Sequence, residues 1–526
     1  MIYDLLIVGG GINGCAIARD AAGRGLAVRL VEQGDLAQGT SSASTKLIHG
    51  GLRYLELYEF RLVHEALAER ELLLGAAPHV IWPLKFVLPY EKGLRPVWLL
   101  RLGLFLYDHL ARRKRLEGSH MVRLDHAAFG RNRPNADDVI DSKSLERALR
   151  EKPVPTFSQR ALTGDLLGAP LRDVYRVGFT YADCWVDDSR FVVLNARDAA
   201  ERGAAISVGA KLVHAARQGD NWRATLTDGE TIEARALVNA AGPWVSEVIE
   251  DALHIHSRKH VRLVKGSHLV LRRLFEGAHA YILQNPDGRI VFAIPYEREF
   301  TLVGTTDVSY EGSPGAVAIS DAETDYLLAS LNHFLRQPAT RDDIRWSYAG
   351  LRPLYDDGAL KASVVTRDYA FDLDAPEDSA PALSTFGGKI TTARRLAEHA
   401  LDQLARFLPV HGPAWTASAV FPGGDMPQGF DQFLDDLKRD KPFLGDALAL
   451  RLARAYGTRV FEILKDARSV SDLGRDFGCG LTEAEIAYLR EKEWARTADD
   501  MLWRRSKLGL HMADAQQQAL REFVGA

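Results

Sequence analysis

The sequence predicts an α/β fold: a two-part Rossmann-type nucleotide-binding domain, an antiparallel-sheet substrate (cap) domain and an all-helical C-terminal domain. Three observations carry this. The apolar run Leu5-Leu6-Ile7-Val8 leads into the glycine turn Gly9-Gly10-Gly11-Ile12-Asn13-Gly14 and a small-residue helix. β-like runs crowd residues 260–372, and helical periodicity takes over beyond Pro413. A chain of 526 residues also exceeds one module, since domains average roughly 100–200 residues. The expected division gives 1–80, 176–250 and 376–405 to the nucleotide-binding domain. Residues 81–175 and 251–375 go to the cap, and 410–526 to the helical domain.

Taken in order, Asp4 to Val8 reads as a buried parallel strand and Cys15 to Gly23 as the helix behind it. In the turn between them, Gly9 permits the tight bend, Gly11 lets backbone approach a pyrophosphate, and Gly14 lets helix pack on strand. A second strand, Ala27 to Val31, ends at Glu32, an acid placed for a ribose diol. That acid favours an unphosphorylated ribose, so FAD or NAD. Residues 56–75 read as a long amphipathic helix stopped by Gly75, and 131–170 as an insertion of weak pattern. Trp222–Leu226 and Thr231–Val238 form a hairpin about Asp228-Gly229. The cap strands include Val261–Val264, His268–Leu271, Ile290–Ile294 and Thr301–Val303. The late helices are Phe430–Leu437, Ala447–Tyr456, Glu485–Glu493 and Ala515–Val524, with Thr482 and Glu485 at capping-box spacing.

Composition narrows the class. Hydrophobic content of 46% and charged content of 26% are those of a globular chain. With 66 basic and 70 acidic residues and a net charge of -4, no nucleic-acid partner is expected. Cys15, Cys184 and Cys479 form no CxxC pair, so neither a disulfide framework nor a metal site is expected, and a reducing, cytoplasmic setting fits. No secretory pattern and no apolar run of spanning length are expected either. The stretch Pro96 to Tyr107 comes nearest. It reads as a buried core helix or as an interfacial segment rimmed by Arg95, Arg101 and Arg112-Arg113-Lys114-Arg115.

The choice of dinucleotide falls to FAD. The run Gly39-Thr40-Ser41-Ser42-Ala43-Ser44-Thr45-Lys46-Leu47-Ile48-His49-Gly50-Gly51-Leu52-Arg53-Tyr54-Leu55 follows the second strand almost at once, where an NAD domain proceeds to another crossover. Its hydroxyls and glycines offer donors to a second phosphate and to a flat ring. The late strand ending Leu237-Val238-Asn239-Ala240-Ala241-Gly242-Pro243-Trp244 suits a two-part flavin domain. Gly387-Gly388, ahead of a helix from Thr391 to Leu401, can aim a helix N-terminus at a flavin's electron-rich N1–O2 edge; a tight loop is the plainer reading.

The run Thr40 to Leu55 closely resembles the FAD-dependent glycerol-3-phosphate dehydrogenases of the respiratory, quinone-linked kind. So do Tyr181–Arg190, Val264–His268, Gly304–Asp307, Gly350–Leu354 and Phe386–Thr392, and the resemblance spans nearly the whole chain apart from 131–170. It implies oxidation of sn-glycerol 3-phosphate at C2 to dihydroxyacetone phosphate, with hydride passing to flavin N5 and electrons to a membrane quinone. The expected partners are that substrate, the quinone, the lipid surface on the inner face of the cytoplasmic membrane, where the protein is held peripherally, and a second copy of the chain. An oxygen-using oxidase and an amine or amino-acid oxidase of the same fold are the alternatives.

Residue by residue, the resemblance places Arg53, Tyr54, Thr305, Arg352, Arg367 and Lys389 at the substrate, where arginine forks suit a phosphate. His49 and His268 are the candidate bases, the assignment open between them, and Arg352 can polarise the hydroxyl. The cofactor set is Gly9, Gly11, Gly14, Glu32, Thr40, Ser41, Ser44, Lys46, Leu47, Gly242, Gly388 and Thr391; the glycines of the turn and Glu32 have a physical case, the others rest mainly on resemblance. Asp187 and Asp188 read as a solvated turn or a helix N-cap.

Overall fold

The structure is a computed structural model and describes residues 1–91, 95–124, 167–315, 317–356 and 368–525. Most of the expected insertion, and Arg367, lie outside the described residues.

The N-terminal unit forms as its pattern dictates. Strand β1 (Ile2–Val8) is buried from Asp4 onward, and helix α1 (Ile12–Gly23) packs alanines on the sheet. A Cβ on Gly14 would lie 1.9 Å from the Gly9 carbonyl oxygen, so only glycine lets helix and strand approach this closely. β2 (Val28–Glu32) pairs parallel to β1. After the two-residue β3 (Leu47–Ile48) come α2 (Phe60–Ala76), β4 (Ile81–Pro89), α3 (Val97–His109), β5 (His120–Arg123) and β6 (Val177–Val186). Helix α4 (Asp188–Glu201) returns to β7 (Ala205–Val208), followed by β8 (Leu212–Gln218), β9 (Asn221–Leu226) and β10 (Thr231–Asn239).

The cap strands are β11 (Val261–Arg272), β12 (Ala280–Gln284), β13 (Ile290–Tyr296), β14 (Phe300–Gly304), β15 (Val308–Ser309) and, after α5 (Asp321–Asn332), β16 (Ile344–Tyr355). Then β17 (Tyr369–Asp374), β18 (Ala382–Gly387) and α6 (Ala393–Leu404) complete the first layer. One sheet has the order β17-β18-β10-β1-β2-β7, with β9 on β10 and β8 on β9; its core strands β18, β10, β1, β2 and β7 are parallel. The other sheet runs β15-β11-β14-β13-β12-β4-β6-β3, with β16 on β11 and β5 on β6.

The sheets divide the chain differently from the expected boundaries. β3 and β6 belong to the cap sheet, where β6 pairs with β4 from Gly178 to Val186, while β17 pairs with β18 in the nucleotide-binding sheet. Each strand reads alone as a generic apolar run; its partner, distant in sequence, decides its sheet. The two runs expected at 261–264 and 268–271 are one strand. Gly75 does not stop α2 but lies inside it, where a Cβ would sit 2.8 Å from the Arg115 guanidinium.

The C-terminal helices Phe430–Asp440, Gly445–Tyr456, Val460–Leu464, Glu483–Glu493 and Asp514–Val524 enclose their own core. They are pinned to the first layer by buried charge. Arg190 of α4 binds Glu493 and the Ala455 carbonyl, and Arg505 and Arg504 both reach Asp35. Thr482 is the N-cap of its helix, yet its hydroxyl makes no cap bond. Buried Glu485 instead accepts from Arg451 and the Tyr456 hydroxyl, at 2.7 and 2.6 Å. A tertiary ion pair outweighs a local cap worth about 1 kcal/mol.

Candidate active site

The glycine turn leaves the N-terminus of α1 without a side-chain cap, and Gly9 takes φ +112°, a conformation closed to other residues there. Ser41 Oγ accepts the Ile12 N–H at 3.0 Å from the neighbouring loop. Glu32, at the C-terminal end of β2, accepts the Gly10 and Gly34 N–H groups at 2.6 and 2.8 Å. Burial raises its pKa against the pull of those donors. Asn13 donates from Nδ2 to the Gly387 carbonyl, while its buried Oδ1 has no protein partner. Gly388, at φ +93°, lies against that same side chain. A glycine-lined helix N-terminus, an acid at the strand end and an orphaned buried acceptor make a donor and acceptor set that fits FAD.

The loop from Thr40 to Lys46 is held from below. Thr40 Oγ1 donates to the Leu351 carbonyl, and Ser44 Oγ to Asp188 at 2.7 Å. Lys46 is buried, with Nζ 2.8 Å from Asp188 and bonded to the Ser42 carbonyl. The ammonium expected at the cofactor is thus engaged inside the protein. Asp188 is likewise fully buried rather than solvated, whereas Asp187 is the N-cap of α4. Leu47 pairs with Trp185, and Gly242 opens a turn after β10 at φ +57°.

Beside this loop lies one face of the β14–β11–β16 ribbon. Opposed residues share a face, so Tyr348, Gly350 and Arg352 of β16 stand beside His268, Gly266 and Val264 of β11. His268 also faces Gly304 of β14. The glycines clear the surface: a Cβ would lie 2.4 Å from Arg352 Nη2 at Gly266, 2.7 Å from Ala43 Cβ at Gly350 and 2.1 Å from His268 Cδ2 at Gly304. Arg352 donates to Asp307 at 2.5 Å, to Thr305 Oγ1 at 2.7 Å and to the Thr306 carbonyl. His268 is buried, with Nε2 on Thr45 Oγ1 at 3.0 Å and Nδ1 without a protein partner. Burial, then Arg352 and Lys46, holds its pKa well below the usual range, so the ring is neutral.

A second group meets at the turn ahead of α6. The His49 N–H points to Thr391 Oγ1 at 3.4 Å, and Lys389 Nζ lies 4.4 Å from the Tyr54 ring centroid. Burial lowers the His49 pKa; Asp183 opposes this, and Lys389 and Arg70 add to it. Gly387, two residues before Lys389, abuts the Tyr355 backbone of β16, which joins the groups. Among the described residues Arg53 makes no ion pair or hydrogen bond.

Residues 4–371 match the family described as FAD dependent oxidoreductase, and residues 414–525 match the C-terminal domain of alpha-glycerophosphate oxidase. A glycerol-3-phosphate dehydrogenase of Pseudomonas aeruginosa is 49% identical, the match covering 99% of this chain and 95% of that one. This chain belongs to the FAD-dependent glycerol-3-phosphate dehydrogenase family. It is also similar to a D-erythritol 1-phosphate dehydrogenase of Brucella abortus, at 45% identity over 99% of this chain and 97% of that one. The crystal structure of a Bacillus halodurans glycerol-3-phosphate dehydrogenase complexed with FAD superposes with TM-score 0.69 at 26% identity, covering 100% of this chain and 94% of that one. FAD is the cofactor of this dehydrogenase family member.

Several residues of this flavoprotein's site carried no role in the sequence. Thr45, Tyr348 and Asp307 hold His268 and Arg352; Asp183, Arg70 and Tyr107 form a buried junction behind His49. Asp183 sits inside an apolar strand run, and that buried charge was the available signal. Nothing in the sequence singles out Tyr107.

Proposed function

We propose that this chain oxidises sn-glycerol 3-phosphate at C2 to dihydroxyacetone phosphate and passes the electrons to a membrane quinone. The observation that carries the reading is the Arg352 fork, set by Asp307 and Thr305 beside neutral His268 on a strand face floored by glycines. Arg352, Arg53 and Lys389 bind and orient the anionic end of the substrate, with Arg367 proposed beside them and Tyr54 carrying Lys389. The proton of the C2 hydroxyl goes to His268 or His49, both neutral near pH 7, and Arg352 stabilises charge developing on that oxygen. FAD, when bound, supplies the hydride acceptor. Gly9, Gly11, Gly14, Glu32, Ser41, Gly242, Gly388 and Thr391 hold it, with Thr40, Ser44, Lys46 and Leu47 shaping the loop beside it.

No helix among the described residues is long and apolar enough to cross a membrane. The proposed route to the quinone is peripheral docking through α3 at the inner face of the cytoplasmic membrane. Its outward face carries Trp98 and Phe105, 66% and 55% exposed, with Leu99 and Leu102. Arg101, Arg112 and Lys114 beside them are exposed and make no ion pair among the described residues. A homodimer belongs to the same proposal, tested by sedimentation of the holoenzyme.

The deciding experiment mixes the oxidised holoenzyme anaerobically with sn-glycerol 3-phosphate and follows the visible absorbance. Rapid bleaching, absent with glycerol, is expected. The Brucella relative favours one second reading: faster bleaching by D-erythritol 1-phosphate would move the substrate to a longer polyol phosphate. Reoxidation by oxygen outpacing quinone would make the enzyme an oxidase. A flavin that stays yellow with both phosphates overturns the substrate reading.

A further inference from the structure

Tyr107 has no part in the reaction described above, yet its hydroxyl stands at a buried three-way junction. It donates to the Asp183 carboxylate of β6, at 2.8 and 2.9 Å, and accepts the Gly50 N–H at 2.8 Å. Asp183 in turn takes Arg70 of α2 at 2.5 Å. Tyr107, Asp183 and Arg70 are all buried. A ring alone would serve the packing there, edge-on to Tyr181; the hydroxyl satisfies a buried carboxylate and a buried N–H that would otherwise be costly.

Gly50 directly follows His49. The other tie on this turn, from the His49 N–H to Thr391, is long at 3.4 Å, so the Tyr107 junction is the firmer hold. A Cβ on Gly50 would lie 2.5 Å from Leu67 Cδ2 and 2.8 Å from the Tyr107 oxygen, leaving the turn no room to slide. Tyr107 also sits on α3, whose outer face carries exposed apolar side chains. Trp98, Leu102 and Phe105 fall on one side at helical spacing, while Leu104 and Tyr107 are buried on the other. Pressure on the outer face therefore has a polar route to the His49 turn through the Tyr107 hydroxyl, beside the apolar packing of α3 on Leu52–Leu57.

We propose that Tyr107 is a positioning residue, which sets the His49–Gly50 turn through Asp183 and makes that turn respond when a phospholipid surface covers the outer face of α3. The response, though not the positioning, rests on the docking proposed above. Docking changes turnover to the extent that the surface binds one setting of α3 better than another. The groups that face His49 are Asp183 from β6, Lys389 from the turn ahead of α6 and Arg70 from α2, with Tyr107 from α3 tuning Asp183. Removing the hydroxyl takes a donor from Asp183, so its negative charge acts more strongly on His49 and raises its pKa. Asp183→Asn removes that charge and lowers it.

The test uses holoenzyme, dye-linked turnover and vesicles of phosphatidylglycerol with phosphatidylethanolamine. In vesicle-free buffer Tyr107→Phe is expected to lower kcat about tenfold with KM within about twofold. The acid limb of its kcat/KM profile should move to higher pH, and that of Asp183→Asn to lower pH. With vesicles, Tyr107→Phe should sediment as the wild type does, while the change in kcat that vesicles cause in the wild type disappears. Wild-type kcat and pH limb in Tyr107→Phe overturn the positioning role, and limbs of both variants moving the same way do so as well. A vesicle effect of wild-type size in Tyr107→Phe overturns the coupling. Wild-type protein that ignores vesicles overturns the docking reading and the coupling together, and is told apart because the pH limbs are read without lipid.

Discussion

His268 and Tyr348 stand directly opposite each other on β11 and β16, their rings stacked with centroids 4.7 Å apart and planes 14° from parallel. The Tyr348 hydroxyl donates to the Ser44 carbonyl at 2.8 Å, so the Thr40–Lys46 loop and the histidine ring share one support. The histidine ring also lies close to the backbone of Gly304, on β14. Gly304→Ala places a methyl 2.1 Å from His268 Cδ2. The ring must move, and kcat is expected to fall at least about tenfold while bound flavin is retained. Single-turnover flavin reduction on the purified variant checks this.

Arg352 meets Asp307, Thr305 and the Thr306 carbonyl with its two terminal nitrogens, a geometry fixed by a planar fork. Lysine keeps the charge and loses the fork. Arg352→Lys is expected to cost about 100-fold or more in kcat/KM, roughly 3 kcal/mol of transition-state stabilisation. Steady-state kinetics with sn-glycerol 3-phosphate measures it.

On the apolar face of α3, Trp98 and Phe105 are mostly exposed. Trp98→Ser with Phe105→Ser should release the protein from vesicles and leave dye-linked turnover in lipid-free buffer within about twofold, as surface changes do. Co-sedimentation and activity are read on the same sample; undiminished vesicle binding would remove α3 from the interface.

His79, between α2 and β4, is buried against the backbone of Gly423 and Gly457, and neither ring nitrogen has a protein partner. Burial, then Arg190 and Arg454, takes its pKa from 6.5 down to about 3. Below pH 6.5 the unfolded chain binds a proton that the native protein refuses, so stability falls as pH drops from 6.5 towards 3. The slope approaches about 1.4 kcal/mol per pH unit for this group. Urea midpoints at pH 7.5 and 5.5 should differ, and His79→Met should narrow the difference.

Arg190 and Glu493 form a buried pair across the seam between α4 and the C-terminal helices. Glu493→Leu strands the guanidinium, and a loss of about 3–5 kcal/mol is expected; pairing it with Arg190→Met should restore much of that. Thermal unfolding of the two single variants and the double variant tests the coupling, which an additive result would refute.

The glycine turn between β1 and α1 was legible because its geometry is local. Gly9, Gly11 and Gly14 sit within six residues of one another, and their roles follow from backbone geometry that any strand–turn–helix imposes. The helical C-terminal domain was legible for the same reason. Lys46 was not, because its partner Asp188 lies 142 residues away and no local pattern reveals that the ammonium is engaged. The capping spacing of Thr482 and Glu485 misled in the same way, since Arg451 and Tyr456 claim the carboxylate from another helix.

By itself the sequence determined the cofactor class and the three-part architecture, since these rest on short motifs whose geometry is set over a few residues. Only the tertiary structure decided that β6 leaves the nucleotide-binding sheet for the cap, that Gly266, Gly304 and Gly350 floor one face, and that Tyr107 stands behind His49. Those relations depend on which distant strands pair and in what register, and a one-residue slip would turn every side chain on that face away from the site.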